Sequence, residues 1–263
     1  MENEKRYSYE ELTQIIRRLR AKDGCPWDRE QTHSSLKNCM IEEAYEVVEG
    51  INEYEKTNDS TNLCEELGDV LLQVVMHAVI AEEEGIFTME DVISGISNKM
   101  IRRHPHVFGT EKTGNTEELI QNWEELKKQE KKEETVSDGM KRVARALPAT
   151  IRAEKIQKKA ARVGLAHSTY ELAEKEVLDK IKDLEKARKN KDFSRIMDDY
   201  GELLFDVVNL SRFLQLNVEN SLTNATDKFI NRFVSVEKLA ILQGKRLDEM
   251  SIGELEALWG RIK

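Results

Sequence analysis

The sequence predicts an all-α protein built from two tandem copies of one helical unit. Its 263 residues include only three prolines and thirteen glycines, and few segments show the apolar–polar alternation that is typical of strands. The chain also contains an internal duplication, in which residues 65–75 align with residues 198–208 and residues 99–103 align with residues 228–232. Because a repeated sequence encodes a repeated supersecondary unit, we expect the two halves to fold alike.

Local signals predict the first helix and the turn that follows it. Ser8 and, three residues later, Glu11 have the spacing of a capping box, so we expect a helix to begin here. That helix should stop at residues 23–24. Residues 25–28 are then expected to form a loop, because Pro26 lacks the backbone donor that a continuing helix needs.

The later helices and a charged segment suggest two domains. One helix is expected from Thr88 or Met89 to Arg103, and a further helix that carries Trp123 aligns with a helix that carries Trp259. A charged segment followed by turn residues, with little apolar pattern, is typical of a linker. We therefore predict an N-terminal domain at residues 1–134, a linker at residues 135–147 and a C-terminal domain at residues 148–263.

Composition and charge argue against several classes of protein. The formal net charge of −9 disfavours nonspecific nucleic-acid binding, because a phosphate backbone would be repelled. No apolar run is long enough to cross a bilayer and the polar start is no signal peptide, so we expect a cytoplasmic protein without a membrane partner. Cys25, Cys39 and Cys64 lack C-x-x-C spacing, which favours reduced thiols.

Two helix-length segments within residues 41–75 place carboxylates among apolar residues. Glu43 and Glu46 share one face of the first segment, and Glu66 and Asp69 share one face of the second. The short polar break between the segments predicts an antiparallel hairpin. The two pairs would then supply carboxylates from both sides of one groove.

Such a groove favours a hard divalent cation. Carboxylates set into an apolar seam repel one another and lose hydration, which is costly unless a positive charge compensates. Oxygen ligands without histidine or cysteine favour Mg²⁺ or Mn²⁺ over zinc. A single E-x-x-E pair is far more often a solvated face, but two pairs on adjacent helices, with Gly68 permitting close approach, favour a metal site.

A phosphate-bearing ligand would account for a basic cluster at the end of the fourth helix. Lys99, Arg102 and Arg103 would neutralise a triphosphate, although cations are also favourable in the last turn of any helix. Trp27 and Trp123 would stack on a base, although a tryptophan at helical spacing is more often part of the core.

Histidine-based metal sites receive less support. His104 and His106 lie in a loop without a partner cluster, so local hydrogen bonds are the favoured interpretation. A di-iron carboxylate bundle needs Glu-x-x-His on two helices. Only Glu30 and His33 have that spacing, and they lie outside the acidic hairpin.

Taken together, the motifs resemble those of the MazG family of nucleoside triphosphate pyrophosphohydrolases. The segments that carry the resemblance are residues 24–28, 42–46, 66–69, 102–108 and 155–164. The resemblance covers nearly the whole chain. It implies the all-α NTP pyrophosphatase fold, a homodimer, and Mg²⁺-dependent hydrolysis of nucleoside triphosphates to nucleoside monophosphate and pyrophosphate.

The resemblance also implies roles for individual residues. The implied metal ligands are Glu43, Glu46, Glu66 and Asp69. Glu42 would be an accessory carboxylate, and either Glu42 or one of the four ligands, such as Glu43, would act as general base. The resemblance implies that Lys99, Arg102 and Arg103 face the phosphates, with Trp123 near the nucleotide. Trp27 is a substrate-binding candidate because its ring would stack on a base.

The second half departs from this pattern. Lys180 stands in the place of Glu43, while Asp183, Asp199 and Glu202 occupy the other ligand positions. An ammonium cannot ligate Mg²⁺, and it supplies the positive charge that the metal would have brought. We expect the first half to be catalytic and the second to be a degenerate, structural or regulatory copy. The alternative is a non-catalytic helical interaction or regulatory protein that retains nucleotide binding.

Overall fold

The part of the protein that the structure describes consists of helices joined by turns and short irregular segments. The structure is a computed structural model, and it describes residues 5–109 and 135–262 together with positions 115, 118, 119, 122, 123, 125, 126 and 130. These residues contain helices and no strand, which confirms the predicted all-α class. None of the described helices is both long and apolar enough to span a bilayer. The chain divides into two compact units, Met1–Leu126 and Lys127–Lys263.

Six described helices belong to the first unit. They are α1 (Tyr9–Arg20), α2 (Pro26–Glu30), α3 (Lys37–Thr57), α4 (Thr61–Glu83), α5 (Met89–Arg103) and α6 (Pro105–Phe108). The capping box at Ser8 and Glu11 is present, as predicted, and α5 starts after an equivalent box at Thr88. The expected loop at residues 25–28 is wrong, because Pro26 takes the first position of α2, where a helix needs no backbone donor.

The core of the first unit joins α1 to α4. Its buried residues are Ile16, Leu36, Val75, Met76, Val79 and Ile80. Arg20, only 7% exposed, pairs with Glu83 through a 2.7 Å contact between Nη2 and Oε2. The same guanidinium donates to the carbonyl oxygens of Asp28 and Gln31, so it fastens the short helix α2 to the frame of α1 and α4.

Helices α3 and α4 form the predicted hairpin, and one glycine sets their approach. A Cβ added to Gly50 would lie 2.9 Å from the Cα of Leu63 on the facing helix. The expectation that Gly68 permits the approach is wrong, since a Cβ at that position would meet nothing within 4 Å. The closest backbone contact therefore lies near the turn of the hairpin.

The second unit repeats the plan of a central hairpin. Its helices are α7 (Val136–Lys141), α8 (Ala149–Arg162), α9 (Tyr170–Asn190), α10 (Phe193–Leu214), α11 (Val218–Leu242) and α12 (Ile252–Arg261), with a 3₁₀ turn at Leu247–Glu249. Val236, Ala240 and Leu258 form a small buried core. Helix α7 lies inside the predicted linker and packs on α8, so residues 135–147 contain ordered helix as well as turns. The predicted domain boundaries stay a prediction.

One side-chain contact recurs at aligned positions of the two units. The Arg103 guanidinium lies 5.6 Å from the ring centroid of Trp123, and the Arg232 guanidinium lies 4.3 Å from that of Trp259. Arg103 is the last residue of α5, whereas Arg232 lies within the helix that spans Val218–Leu242. This repeated contact supports the predicted tandem repeat.

Candidate metal and active site

Three carboxylates of the α3–α4 hairpin converge. Glu43, Glu46 and Glu66 each place one carboxylate oxygen within 4.8 Å of the others. Glu43 and Glu66 are half-buried, whereas Glu46 is exposed. Asp69, also half-buried, lies close enough to interact electrostatically with both Glu43 and Glu66. The structure thus brings together all four residues that the sequence proposed as metal ligands.

The antiparallel register of the hairpin produces this convergence. Gly50 lies against Leu63 near the turn, so one helical turn farther along each helix Glu46 meets Glu66. A further turn brings Glu43 to Asp69. The helical spacing of the carboxylates on α3 and on α4, together with the close approach at Gly50, is enough to assemble the cluster.

The cluster holds negative charge without a neutralising cation among the groups that affect it. Partial burial raises the pKa of Glu43, with further increases from Asp69 and Glu46 and a decrease from a hydrogen bond with Gln73. Partial burial likewise raises the pKa of Glu66, and the neighbouring carboxylates add to the effect. Each shift shows that the ionised form is destabilised by its surroundings.

The arrangement fits a hard divalent cation. Oxygen ligands lie about 2.0–2.6 Å from Mg²⁺ or Ca²⁺, so two oxygens on opposite sides of one ion are separated by roughly 4–5 Å. The mutual distances in the cluster fall within that limit. The donors are all carboxylates, which suits Mg²⁺ or Mn²⁺ better than a thiophilic metal. Carboxylates that are gathered to bind a cation repel one another, and this repulsion raises their pKa values unless a positive charge offsets it. Glu43 and Glu66 both have raised pKa values, as expected for such ligands.

The other predicted site residues lie in varied surroundings. Glu42 is exposed on α3 and is not among the converging carboxylates. Lys99 is half-buried and Arg102 is exposed on the last turns of α5. Trp27 is 64% exposed on α2.

Arg103 and Trp123 form a packing pair. Arg103 is only 8% exposed, and its guanidinium lies over the indole of Trp123. The aligned Arg232 also donates from Nη2 to the carbonyl oxygen of Trp259 at 2.6 Å. These contacts give the two arginines a role in packing.

The histidines do not assemble a predicted metal site. His104 Nδ1 lies 2.6 Å from the carbonyl oxygen of Met100, which is the local hydrogen bond expected. His33 is placed against His77 of α4, with 2.7 Å between their Nδ1 atoms and nearly parallel rings. His33 therefore pairs with another histidine of the first unit.

Sequence reasoning missed Gln73. It lies on α4 one turn after Asp69, is 7% exposed, and contacts Glu43. The available signal was its spacing of four residues from Asp69, which places both side chains on one face of the helix.

The second unit neutralises the corresponding positions with its own side chains. Lys180 forms an ion pair with Glu202 across the α9–α10 hairpin. The two remaining acids are paired within their helices: Asp183 with Lys186 at 2.7 Å, and Asp199 with Arg195 at 3.5 Å. The charge that a cation would balance in the first unit is thus balanced by lysine and arginine in the second.

Comparison with known proteins identifies the family. A protein of Thermotoga maritima named nucleoside triphosphate pyrophosphohydrolase/pyrophosphatase MazG is 43% identical over 255 residues, a match that covers 97% of this chain and 95% of the relative. The chain belongs to the MazG family. A family model described as the MazG nucleotide pyrophosphohydrolase domain matches residues 31–108, which include the three converging carboxylates and Asp69.

Two further MazG relatives differ in length. A nucleoside triphosphate pyrophosphohydrolase of Escherichia coli K12 is 36% identical over 255 residues, covering 96% of this chain and 95% of the relative. A Bacillus subtilis protein, YabN, is 42% identical over 258 residues, but the match covers 98% of this chain and only 52% of YabN. The MazG relatedness therefore extends over both units of the chain.

Proposed function

We propose that this MazG protein hydrolyses nucleoside triphosphates to nucleoside monophosphate and pyrophosphate, with Mg²⁺ or Mn²⁺ as cofactor, at the hairpin of the first unit. The observation that carries the proposal is the convergence of Glu43, Glu46 and Glu66 within 4.8 Å. The names of the whole-length relatives support the reaction class. The self-neutralised acids of the second unit support placing the reaction in the first.

The reaction breaks one phosphoanhydride bond. A water oxygen attacks the α-phosphorus, the bond from that phosphorus to the α,β-bridging oxygen breaks, and pyrophosphate leaves with the electron pair. A carboxylate of the cluster or the adjacent Glu42 takes the proton of the attacking water. A bound divalent cation supplies Lewis-acid stabilisation of the charge on the phosphate oxygens.

Residues of the first unit can hold the two ends of the substrate. Lys99 and Arg102, near the end of α5, carry the positive charge that triphosphate oxygens require. Trp27 exposes most of its indole, which is available to stack on a base. Neither contact is needed for the cluster itself, so these residues are expected to affect KM more than metal binding.

Isotope labelling tests the bond that is broken. Turnover in H₂¹⁸O should place one label in the nucleoside monophosphate and none in pyrophosphate, because the attack is at the α-phosphorus. Label in pyrophosphate, or release of orthophosphate, would refute the scheme. Chelation of divalent cations with EDTA should stop turnover.

Aligned carboxylates provide the matched pair for locating the reaction. Glu66→Gln should lower turnover at least about 100-fold, because it removes a ligand. Asp199→Asn changes the aligned position of the second unit and should leave most of the activity. The reverse result would place the reaction in the second unit. Absence of pyrophosphate release from any triphosphate would instead favour the non-catalytic interaction or regulatory protein.

We also propose that the first unit forms a homodimer through its hairpin. Apolar side chains recur at helical spacing on its surface, with Ile41, Tyr45 and Val48 on α3 and Leu67 and Leu71 on α4 each at least 38% exposed. Contiguous apolar surface of this kind is typical of an interface, and a second copy offers the same surface. Light scattering should show a dimer, and Tyr45→Lys combined with Leu67→Lys should give monomers. A wild-type monomer at high concentration would contradict the proposal.

A further inference from the structure

A buried amide lies beside the acidic cluster. Gln73 is on α4, four residues after Asp69, so both side chains project from the same face of the helix. Only 7% of Gln73 is exposed, although glutamine is usually a surface residue. A buried amide needs hydrogen-bond partners for both its oxygen and its nitrogen, because water is no longer available to them.

The contacts of this amide are only half satisfied by the described residues. Gln73 lies close enough to the carboxylate of Glu43 to favour its ionised form, and only the amide nitrogen of a glutamine can donate to a carboxylate. The amide oxygen, Oε1, is buried and has no hydrogen-bond partner among the described residues. Gln73 therefore has an amide donor facing the carboxylate of Glu43 and a buried acceptor oxygen for which no described residue supplies a donor.

The second unit shows how this position responds when the metal ligand is lost. Asp206 aligns with Gln73, just as Lys180 aligns with Glu43. The pKa of Asp206 is raised mainly by burial and is lowered by Lys180, so these two side chains also face each other across their hairpin. In the second unit the carboxylate of Asp206 lies beside Lys180, and in the first unit the neutral amide of Gln73 lies beside Glu43. The residue at the Gln73 position is therefore acidic where its neighbour is a cation and neutral where its neighbour is a carboxylate.

We propose that Gln73 is a positioning residue of the metal site. Its N–H group holds the Glu43 carboxylate in one orientation, and its Oε1 accepts a hydrogen bond from a water molecule in the hydration shell of the bound cation. The inference rests on the proposed function, because it presupposes a cation at the cluster. Groups that orient ligands in this way commonly change metal affinity by about 10- to 100-fold.

The geometry explains why glutamine suits the position. Asparagine is shorter by one methylene, so its amide would lie farther from the facing helix and from Glu43. Leucine has a similar volume and would keep the packing, but it would leave Glu43 without its donor. Loss of the amide should therefore weaken the site without dismantling the helix.

Binding of Mn²⁺ to the full chain, followed by electron paramagnetic resonance, measures this contribution without turnover. Gln73→Leu should raise the Kd for Mn²⁺ by roughly 10-fold or more. Gln157→Leu is the matched control, because Gln157 is also 7% exposed and donates an amide hydrogen bond, to the carbonyl oxygen of Phe205 in the second unit. Both variants lose a buried amide, but only Gln73→Leu should change the Kd.

A second variant and a second readout separate positioning from general damage. Gln73→Asn keeps an amide and should also weaken Mn²⁺ binding. The Mg²⁺ concentration for half-maximal turnover should rise in both Gln73 variants, while the rate at saturating Mg²⁺ falls less. An unchanged Kd and Mg²⁺ requirement in either folded variant, with binding abolished in Glu43→Gln, would overturn this inference alone. Wild-type protein that binds no Mn²⁺ would overturn the proposed function and the inference together.

Discussion

Lys180 pairs with Glu202 across the second hairpin at the position where Glu43 faces Asp69 across the first. Among the four aligned positions of the acidic cluster, only this one has side chains of opposite charge in the two hairpins. In the proposed function, the Lys180 ammonium supplies the positive charge that a dissociable cation would supply in the first unit. This exchange leads directly to a gain-of-function test.

Reversing the exchange should create a second metal site. Lys180→Glu restores four carboxylates, but Asp206 beside it adds a fifth and increases the repulsion. The double variant Lys180→Glu/Asp206→Gln reproduces the Glu43–Gln73 pair. Calorimetric titration should show additional Mn²⁺ bound per chain for the double variant, with weaker or no gain for Lys180→Glu alone. No additional binding by the double variant would show that the second hairpin differs from the first in more than these two residues.

The acidic cluster should make the effect of Mg²⁺ on stability depend on pH. The folded-state pKa values of Glu43 and Glu66 are raised above the ordinary value of 4.5. Their protonated forms therefore favour the metal-free fold at low pH, and that stabilisation is lost as the pH rises through the raised pKa values. Mg²⁺ should increase the melting temperature more at pH 7.5 than at pH 5, where protons compete for the ligands. Glu43→Gln should reduce the difference, and an equal shift at both pH values would contradict the assignment.

A methyl group at Gly50 should disturb the site from a distance. The added Cβ would lie 2.9 Å from the Cα of Leu63, so the backbones of α3 and α4 must separate. Gly50→Ala should destabilise the protein by roughly 1–3 kcal/mol and weaken Mn²⁺ binding. Gly68→Ala is the control, because a Cβ there meets no atom and helix propensity favours alanine by up to about 1 kcal/mol. Chemical denaturation and Mn²⁺ titration of both variants decide the matter.

Arg103 should prove more important for stability than for substrate binding. Its guanidinium is buried against Trp123 at the end of α5. Arg103→Gln should lower the free energy of unfolding by about 1–3 kcal/mol, because it removes the stacked cation and its buried contacts. Arg102→Gln, at an exposed position, should instead raise KM for the triphosphate with little loss of stability. A large KM effect in Arg103→Gln without a loss of stability would restore Arg103 to the phosphate site.

The histidine pair should contribute stability that disappears in mild acid. Burial and the neighbouring His33 lower the pKa of His77 below its ordinary value of 6.5. Unfolded chains then bind more protons, so this stability is complete above pH 6.5 and is lost as the pH falls toward the lowered pKa. His77→Gln should flatten the pH dependence of the melting temperature in that range. A wild-type melting temperature that stays constant there would contradict the expected role of the pair.

Periodicity was sufficient to predict the helical class and the convergence of Glu43, Glu46 and Glu66, because i, i+3 spacing on two adjacent helices leaves few alternatives. It was insufficient where the decisive contact joins distant residues. Gly50 and Gly68 are both glycines within the two helices of the hairpin, so the sequence alone does not show which one allows the close approach. Only the structure shows that Gly50 lies against Leu63 of the facing helix. The sequence grouped Arg103 with Lys99 and Arg102 as a phosphate-binding residue. Only the structure shows that its guanidinium packs over the ring of Trp123.

The ion pairs of the second hairpin give the chain two halves with different dependence on the medium. The acidic side chains of this hairpin are balanced by Lys180, Lys186 and Arg195. Because these cations belong to the chain, the balance does not depend on the concentration of any ion in solution. In the proposed function the first hairpin takes its counterion from solution, so its stability should follow the free Mg²⁺ concentration. Withdrawal of divalent ions should therefore loosen the chain from its first unit while the second remains folded, making the free-ion level a signal that only one half of the molecule senses.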